Sequence, residues 1–385
     1  MGIQQEHAFG RQQKFYVNEE AAVGTFAKPA TGDSMRILKA QLSHKPDRKD
    51  EVTSYMSSRD VTSSIQGRTE LTWSVDAEYI PSGTKNVAPD CGAFIKNLLG
   101  VETVNANDVT YSQNSSQTLT TLSLVHQLPW LQKCMWGCVV DEMTLSFKGG
   151  ETPKISFSGK AMGYAQAGYA KNNTAMVATA TLPLAATYYR ALMPGSVVQV
   201  GNDTNAGAGF QVTANNYAGV VTLEAVATAD DESDVIPYMP TWAPVGSPMT
   251  GLSGTLTWDS ASLVGPCSEF TLSCKSGNTY QEDGAFEEFM TDAITGIRDI
   301  TGTIAMKVRK DLLLKILDRE AYTAKAIAMV SGGAAQSGTR LEVSMPYCRQ
   351  IHADFDIPET AEVTISMPFK AHGSAGNDAI TMKHT

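Results

Sequence analysis

Arg59-Asp60-Val61-Thr62-Ser63-Ser64-Ile65 returns 239 positions later as Arg298-Asp299-Ile300-Thr301-Gly302-Thr303-Ile304. The elements that follow each copy keep one order: a strand, a short apolar helix, another strand, a cysteine and a closing pair of strands. After the first copy these are residues 91–99 (CGAFIKNLL), 119–125, Cys138 and a strand ending in Lys160-Ala161-Met162-Gly163. After the second they are residues 311–319 (DLLLKILDR), 322–330, Cys348 and a strand ending in Lys370-Ala371-His372-Gly373. Cys138 and Cys348, like Lys160 and Lys370, stand 210 positions apart. Self-similarity of this kind indicates one β-rich unit written twice. On the echo alone, Ile65 and Ile304 should occupy equivalent buried positions.

Working outward, residues 1–35 are polar and broken by Gly10, Gly24, Pro29 and Gly32, which predicts an extended N-terminal arm. Residues 35–42 give the first strand, and residues 44–51 (HKPDRKDE) a solvated hairpin tip. Strand residues continue through 71–75 to a turn at Pro81-Ser82-Gly83. In residues 91–99, Phe94, Ile95, Leu98 and Leu99 share one helical face, and Gly100 supplies a stop. So short a helix needs a sheet to pack on. Residues 142–147 and 154–158 alternate apolar and polar about a Lys148-Gly149-Gly150 turn, as antiparallel strands with one buried face do.

Residues 164–180 look like a linker. The strand-like runs 195–200, 210–213, 219–225 and 235–236, separated by turn-rich segments, predict a small inserted β module. Pro237, Pro240, Pro244 and Pro248 close it as a stiff connection. The acidic run 230–234 lacks the ligand spacing of a calcium loop. Past residue 250 come strands at 269–273, 300–308, 322–330, 341–345, 351–357 and 362–369. Residues 269–273 also resemble residues 142–146, which offers a competing register.

The chain has 385 residues, 42% hydrophobic, with a net charge of −10. That composition belongs to globular proteins with ordinary cores. No run nears the roughly 20 apolar residues of a bilayer span, and the start carries no signal-like region. Folding in a cytoplasm follows as the expectation, with Cys91, Cys134, Cys138, Cys267, Cys274 and Cys348 as free, mostly buried thiols. An acid excess argues against gripping nucleic acid, which needs clustered Lys and Arg.

No nucleophile elbow, zinc-protease helix, phosphate loop or dinucleotide fingerprint occurs. Cys134 and Cys138 lack the second ligand pair zinc requires. His7, His44, His126, His352, His372 and His384 are scattered. Trp73, Trp130, Trp136, Trp242 and Trp258 fall in or beside strands, where core packing is their expected use. No catalytic, cofactor or metal residue is expected, and no enzyme.

The Arg-Asp-Val/Ile-Thr strands, the short helix after each, the ends Ser158-Gly159-Lys160-Ala161 and Met367-Pro368-Phe369-Lys370-Ala371, and the polar arm together resemble a known family. It is the tail tube (major tail) proteins of bacteriophages with long non-contractile tails, in the form whose tube domain is duplicated. The resemblance implies a mainly β fold with short helices: two tandem tail-tube-like β-sandwich domains, each with a flanking helix, plus the inserted module. Its divisions are 1–35 for the arm, 36–170 for the first domain, 171–249 for linker and module, and 250–385 for the second domain.

The resemblance also implies a structural virion protein, assembled in the host cytoplasm into stacked rings, homotrimeric and pseudo-hexameric. The resulting hollow tube would conduct double-stranded DNA, with tape measure, tail terminator and tail-tip proteins as partners and no membrane insertion. The acid excess permits a net negative inner wall. The rival expectation is a β-sandwich binding or decoration module, such as an adhesin or a capsid or tail-surface protein.

Overall fold

The computed structural model describes residues 12–50, 64–114, 119–172, 176–184, 186–205, 207–229, 234–249, 254–265, 267–280, 293–310, 324–351, 354–357, 359–360 and 362–385. It is a mainly β structure of antiparallel sheets, with one α-helix, Gly92–Leu99, among the described residues. The second expected helix, 311–319, lies outside them, as do residues 59–63 of the first echo.

Eight antiparallel strands run side by side in one sheet. The first four are Lys39–Asp50, Ser64–Glu78, Lys154–Lys160 and the C-terminal part of Leu131–Lys148. The next four are Cys267–Lys275, Asp299–Lys307, Thr364–Ala371 and Asp354–Asp356. The join between the fours is direct: Glu142–Lys148 pairs with Glu269–Lys275, Leu145 facing Leu272 and Phe147 facing Phe270. The likeness between residues 142–146 and 269–273 therefore belongs to neighbouring strands, not equivalent ones.

Behind the eight lies a second layer. Lys14–Glu19, Leu122–Leu128, the N-terminal part of Leu131–Lys148 and Gly163–Gly168 form one four-strand order. Gly254–Trp258, Lys325–Gly332, Arg340–Gln350 and Thr381–His384 form another of the same order. Leu131–Lys148 serves both layers, bending at a bulge between Val140 and Glu142; bulges bend a strand and increase its twist. The hairpin Gly100–Val104 and Val109–Gln113 leaves the helix to add a strand beside Thr381–His384. One continuous apolar core, from Phe15 to Met382, fills the space between the layers.

The two sets of strands share a register. Val139–Lys160 and Val140–Gly159 pairs recur as Arg349–Lys370 and Gln350–Phe369, all at 210 positions. Beyond the bulge, Thr144–Ser156 and Leu145–Ile155 recur as Asp354–Ser366 and Phe355–Ile365. One bulge recurs, Leu122/Leu124 against Cys138/Met135 and Lys325/Ile327 against Cys348/Met345.

The seven-residue echo is out of this register. Ile304 faces Met367 and Val75 faces Phe157, so Ile304 matches Val75; Ile65 lies ten residues earlier, opposite Lys49. A short word of β-forming residues recurs cheaply, whereas bulges and cross-strand pairs are what fix register.

Three further expectations change. Residues 14–19 are no free arm: Phe15, Tyr16 and Val17 are buried and the segment is a sheet strand. The charged run 44–50 is strand, paired with residues 64–71 in a two-stranded extension beyond the sheet; its Pro46 is tolerated because Lys39–Asp50 is an edge. The presumed linker 164–180 contains all but the first residue of the strand Gly163–Gly168 and the start of Met176–Pro183. The inserted module appears as a six-stranded sheet with Ala170–Lys171 beside Asp234–Pro237 at one end and Met176–Pro183 at the other, with its own core around Val198, Phe210, Val212 and Val221.

Candidate functional site

Alternation gives the eight-strand sheet two unlike faces. Trp73, Val75, Leu145, Phe157, Leu272, Ile304 and Phe369 turn inward and are buried. The helix Gly92–Leu99 packs there, Phe94 stacking on Trp73 at 5.3 Å and on Phe157 at 4.8 Å; Gly100, at φ 106°, ends it as expected. The outward face is hydroxylated. Ser156, Thr144, Ser273 and Thr301 lie side by side across four strands, and Ser146, Thr271 and Thr303 form the next row.

Charges border these rows and neutralise one another. Lys275 lies 3.6 Å from Glu142, which also accepts from Ser273 Oγ at 2.9 Å; Lys370 pairs with Asp299 at 2.5 Å, and Lys307 with Glu362. Burial, then the Glu142 carboxylate beside it, pushes the Asp141 carboxyl up. This face carries charges of both signs. Among its described residues it forms neither a cationic track nor a strongly repelling surface.

The sheet has two edges with no further described strand beside them, Lys39–Asp50 and Asp354–Asp356. Unpaired edges are templates for another chain. At the second edge Ile357 is 74% exposed and Phe355 is half-buried.

The residues screened for chemistry do not converge. All six cysteines are free, five of them buried; burial pushes the Cys274 and Cys348 thiols up to about 12. His44 stacks on Tyr164 at 4.8 Å, His126 Nε2 lies 3.2 Å from Gln13 Oε1, and His384 is enclosed between Ser82 and Tyr79. His7 and His352 lie outside the described residues. Among the described residues no three His, Cys, Asp or Glu gather to hold a metal ion. Trp73, Trp136 and Trp258 pack against Phe94, Phe26 and Phe369. Trp130 and Trp242, expected to pack, are 42% and 37% exposed.

A family model described as phage tail tube protein matches residues 10–216. The chain belongs to the phage tail tube family. No curated protein matches it. Membership makes it a structural component of the phage tail that assembles with itself into a tube. Among its described residues no helix is long and apolar enough to cross a membrane.

What sequence reasoning missed is the join of Glu142–Lys148 to Cys267–Lys275. The available signal was the matched alternation of the two segments, Met143, Leu145 and Phe147 against Phe270, Leu272 and Cys274.

Proposed function

We propose that the chain carries the tube unit twice and that three copies close into a pseudo-hexameric ring, rings then stacking into a hollow non-contractile tail tube. The observation that carries this reading is the shared register, including the bulge at Leu122/Leu124 that recurs at Lys325/Ile327. A reciprocal exchange supports it. Trp73 faces Gly159 in the first set of strands, and Gly302 faces Phe369 at the matching positions in the second. Aromatic and glycine have traded strands while the space between them is kept.

Three copies of eight strands bring 24 to a closed sheet. At ordinary spacing and tilt that barrel is roughly 50 Å across at the backbone, which admits a DNA duplex after side chains. The hydroxylated face then lines the channel: it offers duplex phosphates no counterion-releasing lysine track, and DNA slides past. Tape measure, terminator and tip proteins would meet the ends of this tube, and the host cytoplasm is where it would assemble. The non-contractile type is taken from the resemblance.

Electron microscopy and light scattering of the purified protein test the proposal. Rings with a central hole, three chains in mass and stacking into tubes, are expected. A monomer that never assembles, even with tail partners added, defeats it.

A further inference from the structure

Trp130, Tyr169 and Tyr188 come from three separate segments and meet where the inserted module leaves the first set of strands. Trp130 stands in the tight turn between Leu122–Leu128 and Leu131–Lys148, Tyr169 directly follows Gly163–Gly168, and Tyr188 closes the helical turn Ala186–Tyr188. Their rings meet edge to face, Trp130 with Tyr169 at 6.2 Å and 88°, Tyr169 with Tyr188 at 6.0 Å and 86°. Trp130 is 42% exposed, and both tyrosines are half-buried. We propose that these rings, with the Asp234 carboxylate beside them, form a binding platform for a neutral polysaccharide.

Neither the fold nor the attachment of the module accounts for the rings. The corresponding turn of the second set of strands, between Lys325–Gly332 and Arg340–Gln350, reads Gly-Ala-Ala-Gln-Ser-Gly-Thr over residues 333–339 and has no aromatic. The module is held by buried amides instead. Gln127 and Gln132, both fully buried, donate from Nε2 to Pro237 O at 3.2 Å and to Tyr238 O at 3.1 Å, and Gln132 Oε1 accepts from Val197 N at 3.1 Å. A cluster of aromatic rings left in reach of solvent marks a surface that meets a ligand. It is also preformed: Tyr188 packs against the module's core, Ala191 N donates to Tyr188 O at 2.9 Å, and Gly168 N donates to Ala191 O at 2.7 Å. A preformed surface loses little freedom on binding.

The chemistry selects the ligand. A pyranose has a face of C–H groups and a rim of hydroxyls; an indole takes the face, and a carboxylate accepts from neighbouring hydroxyls. Tyr169 OH donates to Asp234 Oδ1 at 2.6 Å, a bond that with burial pushes the Tyr169 hydroxyl up to about 12. The carboxylate is thereby fixed, and one such bond uses a fraction of its acceptor capacity. Thr187, Arg190 and Asp234 are exposed, surroundings too polar for the apolar centre of a protein interface. The run Asp230-Asp231-Glu232-Ser233-Asp234 outweighs Arg190 in charge, which disfavours nucleic acid and acidic glycans and leaves the uncharged sugar polymer.

The test titrates the full-length protein with maltohexaose and with chitohexaose, read by saturation-transfer NMR, with heparin as the anionic control. One of the neutral hexaoses should bind through its ring protons. Trp130→Ala should weaken that binding by about tenfold or more. Asp234→Asn, which still accepts from Tyr169, should weaken it at an unchanged melting temperature. Trp242→Ala removes another exposed tryptophan, outside the cluster, and should change nothing. Failure of both hexaoses to bind overturns the proposal, as does tighter binding of heparin. Sugar binding undiminished in Trp130→Ala, or lost equally in Trp242→Ala, overturns it too, and binding unaltered by Asp234→Asn removes the carboxylate from the platform. These readings are made at a single site and are the same whether or not copies close into rings, so the ring proposal stands or falls separately.

Discussion

Gly159 shows how little room this sheet leaves at one position. A Cβ built there would lie 1.9 Å from the Val139 carbonyl oxygen and 2.9 Å from the Trp73 ring. Backbone cannot yield as a side chain end does, so Gly159→Ala should cost about 1–3 kcal/mol or more as overpacking; Gly302→Ala, whose Cβ would meet Phe369 at 2.4 Å and Thr271 O at 2.6 Å, should behave alike. Denaturant unfolding of both variants checks this, and a neutral Gly302→Ala would count against the matched exchange of aromatic and glycine. His384 gives a pH prediction. Its ring is fully buried, with Nε2 2.9 Å from Ser82 Oγ, and burial lowers its pKa to about 4. Below pH about 6.5 the unfolded chain takes up a proton that the folded chain refuses until about pH 4. Stability is therefore complete above 6.5 and falls as pH drops through that window, by up to about 3 kcal/mol from this group. Melting temperatures measured from pH 7 to 4 should decline, and His384→Gln, although less stable at pH 7, should show a shallower decline.

At the scale of elements, what could be foreseen was whatever local pattern dictates. The hairpin of residues 142–158 was legible because apolar and polar residues alternate on both sides of a Gly-Gly turn, and the helix because four apolar residues share a face before Gly100. Residues 14–19 were not legible as a strand. KFYVNE has no polar alternation to show, since Phe15, Tyr16 and Val17 are buried consecutively, the segment lying between the main core and a satellite cluster. Tertiary contacts decide it: Tyr16 OH donates to Pro240 O at 3.0 Å, and the following Glu20 carboxylate accepts from Ser123 Oγ at 2.8 Å and Gly137 N at 2.6 Å. Removing residues 2–19 should then leave an unstable or aggregated chain instead of soluble, folded rings. Phe15→Ala alone should cost about 3–5 kcal/mol in chemical unfolding. A truncated protein that stays monomeric with an unchanged melting temperature would return this segment to the status of a free arm. The join between the two sets of strands was hidden for a different reason: antiparallel neighbours and equivalent repeats leave the same alternating trace, and only the pairing tells them apart.

For the whole molecule, the overall charge of −10 was a poor guide to the face proposed to line the channel. There Lys275 and Glu142, Lys370 and Asp299, and Lys307 and Glu362 pair off, and the rows between them are serine and threonine. Exposed pairs of this kind add little stability, about 0–1 kcal/mol each; what they do is cancel the local field. A conduit gains from that balance, because duplex DNA is held in proportion to the counterions a lysine track releases, and a neutral wall releases none. Assembled wild-type tubes should retain duplex weakly, with retention nearly flat in salt. Replacing Thr144, Ser273 and Thr303 with Lys places new cations on three adjacent strands of every copy, facing the proposed lumen. Those tubes should still form, the changes being on the polar face, and should hold DNA at low salt while releasing it steeply as salt rises. The measurement is DNA retained by sedimented tubes across a salt series, with tube formation checked by microscopy. Tight, salt-steep retention by the wild type would show that this face is not the channel wall. Unchanged retention in the triple variant, with tubes intact, would place the lining on other strands.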